Sequence, residues 1–422
     1  MSTEETDRIL RNYEDAKAVY AGFGVNTDQV ISAFTAIPIS LHCWQGDDVR
    51  GFESLGDVAS QNLVTGNYPG AARNADELRQ DIDQAFSFSP CKPRVNLHSM
   101  YAEPQKPTPR NELTAEDFRN WIDWAKMRGY ALDFNASFFT HPMMVDGFSL
   151  ASRRKDVRDY WIKAGQGSRE ISAAIGRELG TACINNIWVP DGLKDIPANR
   201  LAYRSYLKDS LDQIYDGSYR RDEMIDVLEG KLFGIGLESF TVGSHEFYLS
   251  YAVKNGKGVC LDTGHYHPTE TAVDKITSIA LFVEDIPLHI SRGIRWDSDH
   301  VLIQGDDLSN LMLEMKRGGF FGKVMMGLDY FDASINRVAA WAIGLRAAGK
   351  AMLSALLEPS HLLEACEAEG DYTSRLALMD ELKNLPINAI WDELCVRTGT
   401  PVGTKWLDLL KRYEADVQSQ RR

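Results

Sequence analysis

Short apolar runs rich in β-branched and aromatic residues alternate along this chain with longer stretches in which apolar residues recur every three or four positions. The first pattern suits a buried strand, the second an amphipathic helix. The runs cover residues 37–43, 94–100, 130–135, 182–189, 224–232, 258–262, 286–291 and 323–330. Strands alternating with helices of this length predict repeated βαβ units and a parallel sheet, an α/β fold closed as a (β/α)8 TIM barrel. One unit shows the pattern in full. Thr114 and Asp117 stand where an N-cap and a first helical turn belong. Phe118, Trp121, Ile122 and Ala125 then share one helix face, Gly129 ends it, and the run from Tyr130 follows. One or two helices are expected over residues 5–35, and an almost wholly helical ending over 337–417, with helices at 338–357 and 372–385. The predicted organisation is an N-terminal helical segment over 1–35, a catalytic barrel over 36–336, and a helical extension over 337–422 used in oligomerisation.

Polar residues cluster where the strands should end. In a parallel barrel every strand opens its C-terminus on one face, and catalytic residues gather there. The first strand ends in His42 and Trp44, the second in His98, the third in Asp133 and Asn135, and the fourth in Trp188. The fifth carries Glu229 and Lys231, the sixth Asp262 and then His265, the seventh His289, and the eighth Asp329. Buried charges are costly unless paired or metal-bound, so this placement predicts a pocket built for chemistry.

Two local clusters sharpen the expectation. Asp262, His265 and His267 offer a carboxylate and two imidazoles at one strand end, and Asp297 and Asp299 put two carboxylates two positions apart after His289. Carboxylates at this density repel one another unless cations sit between them. Oxygen and imidazole donors without thiolate suit Mn²⁺, Mg²⁺, Co²⁺ or Zn²⁺, and there are donors enough for two ions. Taken one at a time these residues have plainer readings. Asp297 and Asp299 would form a solvated turn, His289 a hydrogen-bonded core histidine, Glu229 a partner for Lys231, and Trp44 and Trp188 packing. Ligands of one chemical type at four successive strand ends favour the metal site.

Composition narrows the function classes. A chain of 422 residues, 44% of them hydrophobic, can bury a large core, and a formal net charge of −14 argues against a nucleic-acid partner. No stretch approaches the roughly 18 apolar residues of a membrane span, and residues 1–17 lack the apolar segment of a signal peptide. Six scattered cysteines without a C-x-x-C pair fit a reduced, cytoplasmic enzyme. There is no G-x-S-x-G elbow and no P-loop, and the glycines at 234 and 236 lack a strand–turn–helix context, so hydrolase triads and nucleotide-dependent transfer are poor readings. The polar segment at 238–246 is expected in or on the following helix, and His141-Pro142 in a loop.

Seven motifs carry a resemblance. His42-Cys-Trp-Gln-Gly-Asp-Asp48, Gly66-Asn-Tyr-Pro-Gly70, Asn185-Asn-Ile-Trp-Val-Pro-Asp-Gly192, Lys231-Leu-Phe-Gly-Ile-Gly236, Asp262-Thr-Gly-His-Tyr-His-Pro268, Trp296-Asp-Ser-Asp-His300 and Gly327-Leu-Asp-Tyr-Phe-Asp-Ala-Ser-Ile-Asn336 resemble the bacterial L-rhamnose isomerase family, in the xylose-isomerase-like group of barrels, over residues 10–417. The resemblance implies a homotetramer with two divalent ions per subunit, most often Mn²⁺, that interconverts an aldose and a ketose by a metal-assisted hydride shift between C2 and C1. It implies Glu229, Asp262, His289 and Asp329 as ligands of a structural ion, and His265, Asp297 and Asp299 as ligands of a catalytic ion that shares Asp262 or His289. Asp332 competes with Asp329 for the last place, and the strand-end position favours Asp329. Lys231 would bond a sugar oxygen beside the reacting carbons and, with His265 and Asp329, counts as catalytic. His98 would receive sugar oxygens between apolar walls made by Trp44 and Trp188. Ala136 and Phe138 depart from the Pro and Cys of the family pattern.

Three rival functions fit the sequence less well. A one-ion epimerase would not need Asp297 and Asp299, a metal-dependent DNA-repair nuclease would need a basic groove, and a non-catalytic sugar-binding protein would have little use for seven metal ligands.

Overall fold

The computed structural model describes residues 3–44, 51–53, 68–232, 239–294, 299–331 and 334–421. Eight parallel strands close into a barrel in sequence order: β1 Pro38–His42, β2 Lys92–His98, β3 Ala131–Asn135, β4 Cys183–Ile187, β5 Met224–Glu229, β6 Gly258–Asp262, β7 Leu288–Ile290 and β8 Met326–Leu328. Closure comes from β8 lying against β1, with Ile39 opposite Met326 and Leu41 opposite Leu328. Most strands are shorter than the apolar runs that announced them. Trp188, Lys231 and Asp329 therefore stand just past the strands, at the rim where the chain leaves the ladder.

Local chemistry explains the elements. Thr114 and Asp117 form a reciprocal capping box, but it opens a 3-10 turn, Ala115–Phe118, before the α-helix Arg119–Arg128 begins. Phe118, Trp121, Ile122 and Ala125 are wholly buried, as their spacing predicted, and Gly129 closes the helix in the left-handed conformation at φ 70°. Asn26, Asn74 and Asn199 cap three other helices with side-chain oxygens.

Strand alternation sorts residues between two cores. Ile39, Leu41, Val95, Leu97, Leu132 and Phe134 join the apolar layer between strands and helices. A separate small cluster of Ile184, Val227 and Cys260, flanked by Ile225 and Met325, fills part of the barrel interior. Ser40 Oγ donates to Asp133 Oδ2 at 2.8 Å. Because β1 and β3 are not neighbours, that bond crosses the interior. Arg94 completes the floor, holding Asp133 with Nε and Nη2 at 2.6 Å each. Asp133, expected among the strand-end groups of the mouth, is therefore committed to the floor.

The terminal helices brace the barrel. Helix Arg337–Leu356 packs against Ala75–Ser87, Asp306–Arg317 and β1, covering the seam between last and first strands. Helix Thr3–Gly22 packs on Ile387–Arg397, and Asp28 gathers Tyr13, Lys17 and Arg397 beneath them. Arg421 reaches back to Asp81 in a buried ion pair joined by Tyr413. Helix Tyr372–Glu381, by contrast, buries none of its residues. No helix among the described residues is long and apolar enough to cross a membrane.

Candidate active site

Parallel strands β5 to β8 deliver Glu229, Asp262, His289 and Asp329 to one mouth. His289 Nδ1 lies 3.2 Å from Glu229 Oε2, 3.4 Å from Asp329 Oδ2 and 3.9 Å from Asp262 Oδ2. His265 joins them through a tight turn in which Gly264 N–H donates to Asp262 Oδ1 at 2.7 Å. Its Nδ1 stands 3.1 Å from Glu229 Oε1 and its Nε2 3.7 Å from Asp262 Oδ2. A side chain at Gly264 would collide with Asp299 Oδ1, only 1.8 Å from where a Cβ would stand. Glycine there lets Asp299 approach the cluster, held by Ser291 Oγ at 3.0 Å. Gly327 does the same inside β8, where a Cβ would press on His289 and approach His42.

Among the described residues, three overlapping groups of side chains could hold a metal ion: Glu229 with Asp262 and His265, Glu229 with Cys260 and His289, and His42 with His289 and Asp329. The Nδ1 atoms of His265 and His289 are buried and lack hydrogen-bond geometry to the carboxylates they face. Converging lone pairs and anions that do not hydrogen-bond one another fit a cation between them. His42 belongs here as well. Its Nδ1 donates to the Leu328 carbonyl at 3.0 Å, leaving Nε2 as an acceptor 3.3 Å from Asp329 Oδ2 and 3.1 Å from the Asn96 amide.

The charges compete. Burial pushes Asp262 well above the ordinary carboxylate range, aided by Asp299, Glu229 and Asp329 against the pull of His265. Burial raises Asp329 too, with His289 opposing. Burial also works against ionising Glu229, but the His289 and His265 imidazoles outweigh it and hold Glu229 well below its usual range. Burial disfavours charge on His265, yet Asp262 and Glu229 lift it to about 9. Divalent ions would supply the positive charge that these facing carboxylates call for.

Aromatic walls flank this centre. Trp44 Nε1 donates to Asp329 Oδ1 at 2.9 Å, and its ring lies 4.0 Å from that of His98. Trp188 is stacked beside His265 at 6.2 Å, with Lys231 Nζ 5.5 Å over its ring. Phe139 bridges the walls, 6.3 Å from Trp44 and 5.4 Å from Trp188, and Phe331 adds a third face to Trp44.

Not every expected group arrives. His267 turns away, its Nδ1 paired with Thr269 Oγ1 at 2.6 Å, so only one imidazole of the 262–268 motif enters the cluster. Asp297 and Asp332 lie outside the described residues. His245 opens the helix His245–Asn255, as expected, and donates to the His265 carbonyl at 3.0 Å. His141 staples its own loop, accepting from Met143 N–H and meeting Tyr160. His42, a strand-end candidate outside the expected ligand sets, joins the cluster, as do Phe139 and Asn186, whose amide donates to Glu229 Oε2 at 2.5 Å and which no sequence signal singled out. His42 had a signal, its strand-end position. Asn186 alternates with a helix-facing Asn185, and only the barrel's inner parity distinguishes the two.

A parallel barrel whose C-terminal mouth gathers buried carboxylates and imidazoles between aromatic walls defines a barrel enzyme acting on a small polar molecule. A family model described as L-rhamnose isomerase (RhaA) matches residues 7–421. The L-rhamnose isomerase of Rhodopirellula baltica is 50% identical over 98% of this chain and 97% of its own length. Those of Klebsiella pneumoniae subsp. pneumoniae and Citrobacter koseri are 48% and 47% identical, each over 99% of this chain and all of theirs. The chain belongs to the L-rhamnose isomerase family. It is an isomerase, and a small-molecule sugar is the substrate class that suits it.

Proposed function

We propose that this chain interconverts L-rhamnose and L-rhamnulose in rhamnose catabolism, an aldose–ketose isomerisation in which hydride passes between C2 and C1. The observation that carries the reading is the gathering of Glu229, Asp262, His265, His289 and Asp329 into adjoining donor groups between Trp44 and Trp188. Two divalent ions, Mn²⁺ first and Zn²⁺, Co²⁺ or Mg²⁺ as alternatives, would supply Lewis acidity at O1 and O2 of the open-chain sugar. Glu229, Asp262, His289 and Asp329 would hold one, and His265, Asp297 and Asp299 the other.

The protein's own groups do the rest. The Lys231 ammonium beside the Trp188 ring bonds a sugar oxygen next to the reacting carbons. Trp44, Phe139 and Trp188 exclude water from C1 and C2, and His98 meets a hydroxyl. The reading extends to a cytoplasmic homotetramer, with the barrel over 36–336 flanked by the helical segments 1–35 and 337–422. The unburied helix Tyr372–Glu381, with Tyr372 and Leu376 exposed, supports a subunit contact by that ending.

The test is ketose formation from L-rhamnose by EDTA-stripped protein given back Mn²⁺, against L-mannose and D-xylose. Restored turnover preferring rhamnose is expected. Turnover of another aldose alone would overturn the substrate, and no turnover with metal bound would overturn the reaction. Run in D₂O, a hydride shift leaves C1 of the product free of deuterium, whereas proton abstraction at C2 labels it.

A further inference from the structure

The loop leaving β3 is held in a conformation its residues do not favour. Ser137 and Thr140 both have positive φ, 55° and 49°, and neither is glycine. Such geometry persists only where the surroundings enforce it. Here Arg110 enforces it. Its guanidinium is buried, donates to the carbonyls of Ser137 and Phe139 (2.8 Å to the latter), and reaches that of Thr140 at 3.5 Å. Glu53 pairs with its other edge, at 3.0 Å from Nε, and the Trp161 ring lies beneath it. From the strand side, Asn135 Oδ1 accepts the Ser137 N–H at 3.1 Å, and Ser99 Oγ donates to the Ala136 carbonyl at 2.6 Å.

This clamp has a consequence in the pocket. It sets Ser137 Oγ 3.2 Å from Nδ1 of His98. The opposite ring nitrogen, Nε2, is buried and has no hydrogen-bond partner among the described residues. It sits between the Trp44 ring, 4.0 Å from the imidazole, and the Phe139 ring at 6.0 Å. A buried ring nitrogen left open toward an aromatic pocket is a group waiting for a ligand's hydrogen bond. A sugar hydroxyl, which can donate or accept, supplies one.

We propose that Ser137 is the positioning residue for His98, with Arg110 clamping its backbone, so that Nε2 of the imidazole is aimed at one hydroxyl of the sugar. The proposal rests on the reading of this mouth as the sugar site. Loss of the Ser137 hydroxyl releases the ring without touching the cluster of Glu229, Asp262 and His289, so binding suffers more than chemistry.

The experiment is steady-state kinetics on Mn²⁺-loaded enzyme with L-rhamnose, comparing Ser137→Ala, Ser137→Gly, Arg110→Lys and His98→Asn. Ala keeps the backbone strain and Gly relieves it, but both remove the hydroxyl. Both are expected to raise KM about three- to tenfold, the loss of one hydrogen bond, with kcat changed much less. Ser137→Ala should add nothing in the His98→Asn background, because the two residues act through one contact. Arg110→Lys should raise KM in the same way. If His98→Asn raises KM while neither Ser137 variant does, the positioning role is overturned and the sugar site stands. If His98→Asn changes nothing, the assignment of His98 to the sugar pocket fails, and this proposal with it. An effect of Ser137→Gly alone would assign the change to the backbone and overturn the role of the hydroxyl. A less stable Arg110→Lys with unchanged KM would remove Arg110 from the proposal.

Discussion

Inside the barrel the described residues bury charge at the floor and at the mouth, and the two places handle it in opposite ways. At the floor one carboxylate, Asp133, meets one guanidinium, Arg94. Ser40 Oγ and the Ile184 N–H take up further lone pairs of the same carboxylate. At the mouth Glu229, Asp262 and Asp329 converge on His265 and His289, with buried imidazole nitrogens left without hydrogen bonds. The floor pair comes from inward-facing positions of β2 and β3, and the mouth carboxylates stand at or just past the ends of β5, β6 and β8. The difference shows which buried charge serves the fold and which serves chemistry. Where every lone pair has a donor, the charge is complete as it stands. Where anions face one another, the site is complete only with a cation.

Breaking the mouth should cost activity and spare the fold. Glu229→Gln removes a donor shared by two of the three candidate metal groups. Turnover and Mn²⁺ affinity are each expected to fall by at least ~100-fold. The metal-free protein should melt only slightly lower, as the His265 and His289 imidazoles lose the anion they hold ionised. Metal analysis, kinetics and a melting curve on one preparation check this.

Breaking the floor should do the reverse. Arg94→Met strands a buried carboxylate and is expected to cost about 3–5 kcal/mol in urea unfolding. The double replacement Arg94→Met with Asp133→Leu should recover most of that, since an apolar pair leaves nothing unsatisfied. Equal losses from the double and the single variant would show that the floor pair itself stabilises the barrel.

Metal addition sharpens the same contrast. Mn²⁺ given to stripped wild-type protein should raise its melting temperature by several degrees, as binding at ~100 times Kd adds about 2.7 kcal/mol. Glu229→Gln should lose that shift and Arg94→Met should keep it.

A smaller effect comes from a buried titratable group that has neither an opposite charge nor a cation. His141 is pushed down to about 3, by burial first and then by Arg110. The unfolded chain takes up this proton near pH 6.5, so the contribution of His141 is full above that pH and is lost as pH falls toward 3. In His141→Gln the fall in stability between pH 6.5 and 4 should be shallower, by at most ~1.4 kcal/mol per pH unit. An unchanged slope would mean that other groups carry the acid sensitivity.

The alternation of strand and helix was legible because period in sequence is period in space. Trp121 and Ile122 had to lie on one helix face, and Glu229, Asp262 and His289 at strand ends had to open on one side of a parallel barrel. The chemical class of the site could be read for the same reason, since a residue type survives any detail of folding. What could not be read was each side chain's final direction. Asp133 and Asp262 both sit toward strand ends, yet one meets Arg94 in the floor and the other joins the mouth. His265 and His267 differ by two positions in one turn, and only the first points inward.

Sequence by itself therefore determined the elements, their order, the barrel and the donor types at its mouth, all of which follow from local periodicity and parallel topology. Only the tertiary structure decided which donors stand together, that His42 joins His289 and Asp329, and that Arg110 reaches across to the β3 loop to set Ser137 against His98. Those contacts join residues far apart in the chain, and their partners are chosen by how loops pack and which way each strand's pleat faces, which no local pattern encodes.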